Sequence, residues 1–572
     1  MKTEIDSTDR LLTFNKEDHK LIMQFLDFII NSKLQMSASI YETTLVSSIE
    51  GTNHEPLFPD LLMKMIELQS TEWYNLQIRR KSAISHQAFL CTLVLINALL
   101  KFNLNKQHDK VIRKGIKFLQ KAIPIIKDDT INFVGSEIII PDQIESLIEQ
   151  TKKRSDLLSK ENIQTLKSLL SNYENIRKSK LDNFSMNKPS ATWFSLESLP
   201  ENLLDINILN HFITNNGQFM SSPSGTGTIY KLSPNPKILD YFEDAKAATS
   251  NRGLPITYPM NIFESIWVIG ALINCDFSKK FIINNFKPLL ESIEENFSDH
   301  GTGSAKNFPP DCDDTARAVF SFNYLNVNSK YTTQTLKQWY VEEGKYFKTY
   351  HHEKDASVSA NVHALQAFLE SDNVPKNEKA DLWDNIISLF ENTAIKDSST
   401  DAYWTDKWMS SPIYTVEGVI YTITKYQDQF PQRETNIHHK AINWLLTKQH
   451  DSGGFQTYIE YGPTMEETAY ALIAMIHYFR YYKNRNVLQN TDENTELKKK
   501  LLLSIKKGFS FLEKNKEQIM NVDAHPPLWT CKALFSPYKI VITYVLGAYL
   551  FSKQFLNQEK IKFIHKYPVN IK

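Results

Sequence analysis

Charge of one sign is the first thing this 572-residue chain lacks: Lys+Arg and Asp+Glu number 65 each. Without a net field, neither nucleic acid nor an anionic membrane has an electrostatic hold on the chain as a whole. Cysteine is scarce as well. Cys91, Cys275, Cys312 and Cys531 are scattered with no CxxC spacing, which excludes a zinc ribbon and a disulfide framework. A reducing cytosol suits that usage, so a cytoplasmic location is expected. Glycine is low at 17 residues, and almost no stretch alternates apolar and polar over strand length. Most β architectures are thereby removed. Apolar runs such as CTLVLINALL (91–100) look too short to span a bilayer. The acidic, polar start MKTEIDSTDRLLTF has the character of neither a signal nor a transit peptide. No transmembrane segment is expected, although surface contact with lipid stays open.

What is present is helical. Apolar residues recur at helical spacing over 16–32, 55–70 and 85–125, the last broken near 103–108. INFVGSEIIIPDQIESLIEQ reads as a short apolar run stopped by Pro141, and the Lys-rich 151–182 stretch still reads as helix. From about residue 260 onward, helical segments recur at the spacing of stacked helix pairs. The chain is too long for one hydrophobic core, so an all-α protein of at least two domains is expected. The 33 Phe and 25 Tyr exceed what an ordinary core needs and would suit a pocket for a long apolar substrate.

The most informative stretch is FPPDCDDTARAVF (308–320), with three carboxylates, Asp311, Asp313 and Asp314, directly after Pro309 and Pro310. A helix beginning at or near Asp311 follows from that pattern. One explanation of the cluster is plain capping, since Asp favours the N-cap and the first turn of a helix. The other is chemical: shielded from water, carboxylates this close cannot all ionise, and at least one keeps its proton. A dry, hydrogen-bonded carboxylic acid can protonate an alkene.

DCDDTA resembles the DxDDTA motif of class II terpene cyclases, and further blocks follow in family order over nearly the whole chain. MSASIYETTLVSSIE (36–50), SLESLP (195–200), SPSGTGTIY (222–230) and LPITYPMNIFESIWVIGAL (254–272) resemble segments of labdane-type diterpene cyclases. SVSANVHAL, DKWMSSPIY, EETAYALIAM and PLWTCKALFSP resemble blocks of bacterial and fungal copalyl diphosphate synthases. KQHDSGGFQTY carries Gln449, Gly453 and Phe455 in the family's Q-x(3)-G-x-W repeat pattern, with Phe for Trp. The resemblance implies a double α/α-barrel, the βγ didomain of the terpene cyclase and squalene–hopene cyclase type. Residues 1–40 plus 275–572 would form the acid-bearing β domain, and 41–274 the inserted γ domain.

It also implies roles. Asp313 would deliver the proton, Asp311 and Asp314 would tune it, and Asn361 would hydrogen-bond it, although an Asn there is equally an ordinary helix-end residue. Tyr258, Phe263, Trp267, Trp404, Trp408 and Trp529 are candidate pocket linings for carbocations, with core packing as the alternative for each. Lys180 and Lys407 would hold the diphosphate, and Mg²⁺ is expected, with Asp128, Asp129 and Glu137 as remnants of an acidic metal segment. The Arg177–Lys180 run also reads as a solvated helix face. Phe194 and Ile256 occupy the positions where plant relatives carry a His and an Asn that remove the final proton; neither side chain accepts one. Another group would then take that proton, or the cation would rearrange to a halimadane or clerodane skeleton first.

The expected reaction is cyclisation of geranylgeranyl diphosphate with the diphosphate retained. The prenyl diphosphate is thus the one partner molecule foreseen, and a separate class I terpene synthase or a phosphatase would act downstream, since neither a DDxxD nor an NSE-type motif is found. A drimane-type sesquiterpene cyclase acting on farnesyl diphosphate is the nearest alternative. A zinc prenyltransferase β-subunit, with Asp311, Cys312 and His363 as ligands, and a non-catalytic helical solenoid are the others.

Overall fold

The structure is a computed structural model. It describes residues 15–51, 54–72, 76–102, 107–127, 133–152, 154, 156–187, 190–306, 308–351, 353, 355–484 and 492–566, the side chains of 69–72, 492–495 and 560–566 excepted. Six long apolar helices close a ring. In order they are Asn261–Asn274, Cys312–Leu325, Val358–Glu370, Pro412–Tyr426, Met465–Asn484 and Tyr538–Lys566; each packs on the next, and the last packs on the first. Their starts are fixed locally. Asp311, Ser357 and Ser411 each cap a helix by accepting a backbone N–H of its first turn, and Pro412 occupies a first-turn position that needs no N–H donor.

Side-chain pairs between neighbouring helices advance together along the chain. Asp313 meets His363 and, further on, Arg317 meets Gln366. Tyr414 meets Tyr470, then Tyr421 meets His477; Tyr470 meets Tyr544, then His477 meets Phe551. These helices therefore run parallel, and their N-terminal ends share one mouth of the ring. Outer helices Lys287–Asn296, Lys376–Thr393, Ile437–Leu446, Asp492–Lys514 and Lys16–Asn31 cover the ring from outside. This is an α/α barrel.

The helix Asn261–Asn274 belongs to that ring, packing on Cys312–Leu325, Lys287–Asn296 and Tyr538–Lys566. Before it lie the helices Ile40–Ser47, Pro59–Glu72, Ala83–Phe102, Asp109–Ile126, Ser136–Thr151 and Lys160–Asp182, packed on one another. Residues 191–247 add shorter helices around a separate small core that includes Trp193, Phe219, Tyr241 and Phe242.

Two local expectations are corrected. Pro141 does not stop the chain: the helix Ser136–Thr151 runs through it. Burial of Ile138, Ile139, Ile140, Ile144 and Leu147 outweighs the roughly 3 kcal/mol that an interior proline costs. CTLVLINALL is the centre of a 20-residue helix, Ala83–Phe102, long and apolar enough by length and composition to cross a membrane. It lies almost wholly buried inside the protein, as a core helix does. In the Q-x(3)-G-x-W segment, Gln449 Nε2 donates to the carbonyls of Gly453 and Ser504, the latter inside the helix Asp492–Lys514, while Phe455 is fully enclosed.

Candidate active site

The acid stretch begins at the mouth of the ring. Asp311 is extended and accepts the Asp314 N–H through Oδ1 at 2.8 Å. Its own N–H donates to Thr302 O, and the Cys312 N–H donates to Thr349 O, so the turn is held from both sides. Gly301 lets the 298–303 loop press against it; its φ is +104°, and a Cβ there would lie 2.4 Å from Thr315 Oγ1. Tyr350 donates its hydroxyl to Asp311 Oδ2 at 3.3 Å.

Asp313 projects to the neighbouring helix, where its Oδ1 lies 2.5 Å from His363 Nδ1, both side chains being buried. Burial is the dominant force on the group. It pushes the Asp311 carboxyl up to about 7, with the charge of Asp313 adding to the rise and the Asp314 N–H opposing it. Burial, then the charges of Asp311 and Asp313, hold Asp314 well above the usual carboxylate range. Burial lowers His363, against the pull of the Asp313 charge. The site is dry enough to disfavour ionisation.

Asn361, expected beside Asp313, is elsewhere. Its Nδ2 donates to the carbonyls of Phe347 and Ser357, and its Oδ1 accepts the Phe347 N–H at 2.8 Å. The side chain is spent pinning the short Tyr340–Val341/Tyr346–Phe347 hairpin, and the partner of the acid is His363. The two residues stand in one block, but two residues on a helix point about 200° apart, so only the phase of the helix decides which meets the acid.

An aromatic wall continues from His363. Trp267 stands edge-on to it with ring centres 5.6 Å apart, stacks on Phe263 at 4.2 Å and donates Nε1–H to Tyr414 Oη at 3.1 Å. Trp529 meets Phe263 at 5.8 Å and Tyr414 at 5.5 Å. Of the expected linings, Phe263, Trp267 and Trp529 thus come together, joined by Tyr414, which sequence reasoning did not single out. Trp404 does not: it packs on Phe390, donates to the Phe390 carbonyl and belongs to the barrel's outer core. Trp408 lies beside Tyr350 on the flank of the acid turn. Tyr258 packs on Tyr241 in the small core, and Ile256 is wholly enclosed.

The expected diphosphate and metal residues divide. Lys407 pairs with Glu353 at 2.7 Å, and Glu353 accepts the Thr349 and Tyr350 N–H groups beside the acid turn. Lys180 pairs with Glu137 at 3.1 Å, joining two residues picked for different roles. Asp128 and Asp129 lie outside the described residues. Among the described residues no three His, Cys, Asp or Glu side chains come together to hold a metal ion. They therefore form no zinc site from Asp311, Cys312 and His363. A cavity of about 560 Å³ opens between residues 211–214 with Met220 and the Phe308–Pro310 turn just ahead of the acid.

A second buried charge cluster was not anticipated. Lys532 is fully enclosed, with Nζ 2.8 Å from Glu197 Oε1, 3.2 Å from Glu42 Oε1, and donating to Ser222 Oγ at 2.8 Å and Ser224 Oγ at 2.9 Å. Phe194 lies 4.4 Å beneath the ammonium. Burial pushes Glu42 up to about 7, with Lys532 pulling the other way. Four of the blocks quoted above, around residues 42, 197, 222–224 and 532, meet here. That shared meeting point was the signal, and it is invisible until the chain is folded.

No protein-family model matches the chain. It is similar to the copalyl diphosphate synthase of Talaromyces verruculosus, 26% identical over 556 residues that cover 90% of this chain and 53% of that protein. It is similar also to the ent-copalyl diphosphate synthase of Streptomyces sp. (strain KO-3988), 23% identical over 483 residues that cover 82% of this chain and 85% of that one. The chain thus spans about half the length of the fungal relative and most of the bacterial one. In structure it resembles the ent-copalyl diphosphate synthase from Streptomyces platensis, with a TM-score of 0.67 at 17% identity over 94% of this chain and 100% of the other. At that identity the structural match establishes the fold.

Proposed function

We infer that this chain, copalyl diphosphate synthase-like in sequence and fold, is a class II terpene cyclase that opens its reaction by protonating a carbon–carbon double bond. The substrate in this reading is geranylgeranyl diphosphate. The product is a bicyclic labdane-related diphosphate, of copalyl, halimadienyl or clerodane type, released with the diphosphate intact. The observation that carries the reading is the 2.5 Å contact between Asp313 and His363, set in a dry carboxyl cluster against an aromatic wall.

The roles follow from physics. In this reading Asp313 is the proton donor, and His363, in the tautomer that carries hydrogen on Nδ1, donates to its Oδ1. That hydrogen bond strengthens as negative charge develops on the carboxylate, so it favours proton loss to the alkene. Asp311 and Asp314 are driven toward their neutral forms by burial and add little negative charge that would hold the proton back. The faces of Trp267, Phe263, Trp529 and Tyr414 stabilise the carbocations without offering a lone pair of high nucleophilicity. Lys407 and Lys180 are assigned to the diphosphate, and Mg²⁺, when bound, would supply further positive charge against it. An acid-bearing unit of residues 1–40 and 261–572, with 41–260 inserted, fits the packing. Action in the cytoplasm, with a class I synthase or phosphatase consuming the product, completes the reading.

The test is incubation of the purified protein with geranylgeranyl diphosphate and, separately, farnesyl diphosphate in the presence of Mg²⁺, followed by dephosphorylation and identification of the alcohols. A bicyclic C20 alcohol is the expected product. Uncyclised alcohols alone from both substrates would count against the reading.

A further inference from the structure

A cascade begun by proton gain at one carbon ends by proton loss from another, so the chamber needs a base as well as an acid. Phe194 and Ile256 supply none. Four buried carboxyls at or near the barrel's interior are the candidates: Glu264, Glu417, Glu42 and Glu466. Glu42 is held by Lys532. Glu417 is the sixth residue of its helix, one turn deeper than the acid, and accepts the Asn274 amide at 3.1 Å. Glu264 lies on the helix next to the acid's own and faces Lys539 at 4.0 Å.

Glu466 differs from all three. It is the second residue of Met465–Asn484, and the contacts Asp313–His363, His363–Trp267, Trp267–Tyr414 and Tyr414–Tyr470 place it about one turn nearer the mouth of the ring than the acid. Counting round the ring in either direction, the helix of Glu466 is the third neighbour of the helix of Asp313, directly across the barrel. Its Oε1 accepts both the Trp529 indole N–H at 2.8 Å and the Tyr470 hydroxyl at 2.7 Å. Trp529 is itself part of the aromatic wall. Its Oε2 is buried and has no hydrogen-bond partner among the described residues, as is also true of Glu264 Oε1 and Glu42 Oε1; what sets Glu466 apart is that its other oxygen is held by the aromatic wall itself. A buried carboxylate oxygen left bare is costly, and it persists where a reacting partner completes it.

We propose that Glu466 is the terminal base of the reaction, taking through Oε2 the proton that ends the cascade. The proposal rests on the cyclase reading above. The C–H bond beside the last cationic carbon breaks, its electron pair becomes the new double bond, and the proton bonds to Oε2. Asp313 is left as carboxylate and Glu466 as carboxylic acid, and exchange with solvent returns each to its starting state. The two donors on Oε1 leave Oε2 as the free acceptor and fix its direction. Burial, offset in part by the bonds from Tyr470 and Trp529, pushes the Glu466 carboxyl up to about 8, so the ionised form that accepts the proton is the minority form at neutral pH and grows as pH rises toward 8.

The experiment compares wild type with Glu466→Gln, Glu466→Asp and Asp313→Asn, using geranylgeranyl diphosphate and Mg²⁺ and identifying products after dephosphorylation. Glu466→Gln keeps the acceptor on the Trp529 side but cannot take the proton. It is expected to consume substrate while the wild-type olefin falls at least about 10-fold as a share of product, replaced by water-captured or shifted-alkene bicycles. Glu466→Asp is expected to restore part of the wild-type olefin, and it carries the test alone should the glutamine variant not fold. An unchanged product spectrum and rate in Glu466→Gln, or in a folded Glu466→Asp tested alone, overturns the inference. So does a folded Glu466→Gln that consumes no substrate, as Asp313→Asn is expected to. A wild type that yields only uncyclised alcohol overturns the cyclase reading itself, and this inference with it.

Discussion

The buried charges around Lys532 and those around Asp313 are built on opposite rules. Around Lys532, one ammonium is met by Glu42, Glu197, Ser222 and Ser224, so the cation is fully coordinated. Around Asp313, three carboxyls share a turn with no Lys or Arg bonded to them among the described residues, and His363, which contacts Asp313, is disfavoured as a cation by its own burial. A charge cluster whose members satisfy one another is a fastening; here it ties the C-terminal Trp529–Thr530/Leu534–Phe535 hairpin to the inserted region. A cluster that stays proton-hungry and dry is reactive. The contrast separates what holds the chamber together from what acts in it.

The sharpest break of that contrast is Asp313→Asn, which removes the proton and keeps the shape. Turnover is expected to drop by roughly 10³–10⁴, with circular dichroism and melting temperature almost unchanged. Lys532→Met should do the reverse, acting on the fold. Breaking a buried pair costs about 3–5 kcal/mol because Glu42 and Glu197 are left without their cation. Urea denaturation measures that loss, and adding Glu42→Gln to Lys532→Met should recover part of it.

Smaller effects refine the picture. His363→Phe keeps the bulk beside Trp267 but deletes the hydrogen bond to Asp313; kcat is expected to fall about 10²-fold with KM little changed. Glu264→Gln probes a buried carboxyl outside the chemistry, pushed by burial up to about 8 from an ordinary 4.5. The fold binds that proton more tightly than the unfolded chain does. Its contribution is therefore complete below pH 4.5 and is lost as pH rises toward 8. The glutamine variant has no such loss, so it should gain on wild type by about 3–4 kcal/mol between pH 5 and pH 8 in parallel denaturation curves.

Much of this was legible from residues alone, for reasons that are themselves physical. The N-cap at Asp311 and the helical spacing that runs to Phe102 and resumes at Asp109 follow from local rules of capping and periodicity. What escaped reading depends on distance or phase. His363 is 50 residues from Asp313, and Glu466 and Lys532 find their roles only when the ring closes. Trp404 was placed in the chamber because aromatic residues of core and pocket look alike in a sequence. Pro141 was taken as a stop because its local cost is visible, while the burial that overrides it is not.

The central claim is that Asp313 puts one proton on a carbon atom. Turnover of geranylgeranyl diphosphate in D₂O, with mass analysis of the dephosphorylated product, tests it directly. The account predicts one deuterium per cyclised molecule, on a single carbon of the ring that closes first, and no product from Asp313→Asn. A cyclised product without deuterium, or equal cyclisation by Asp313→Asn, would contradict it.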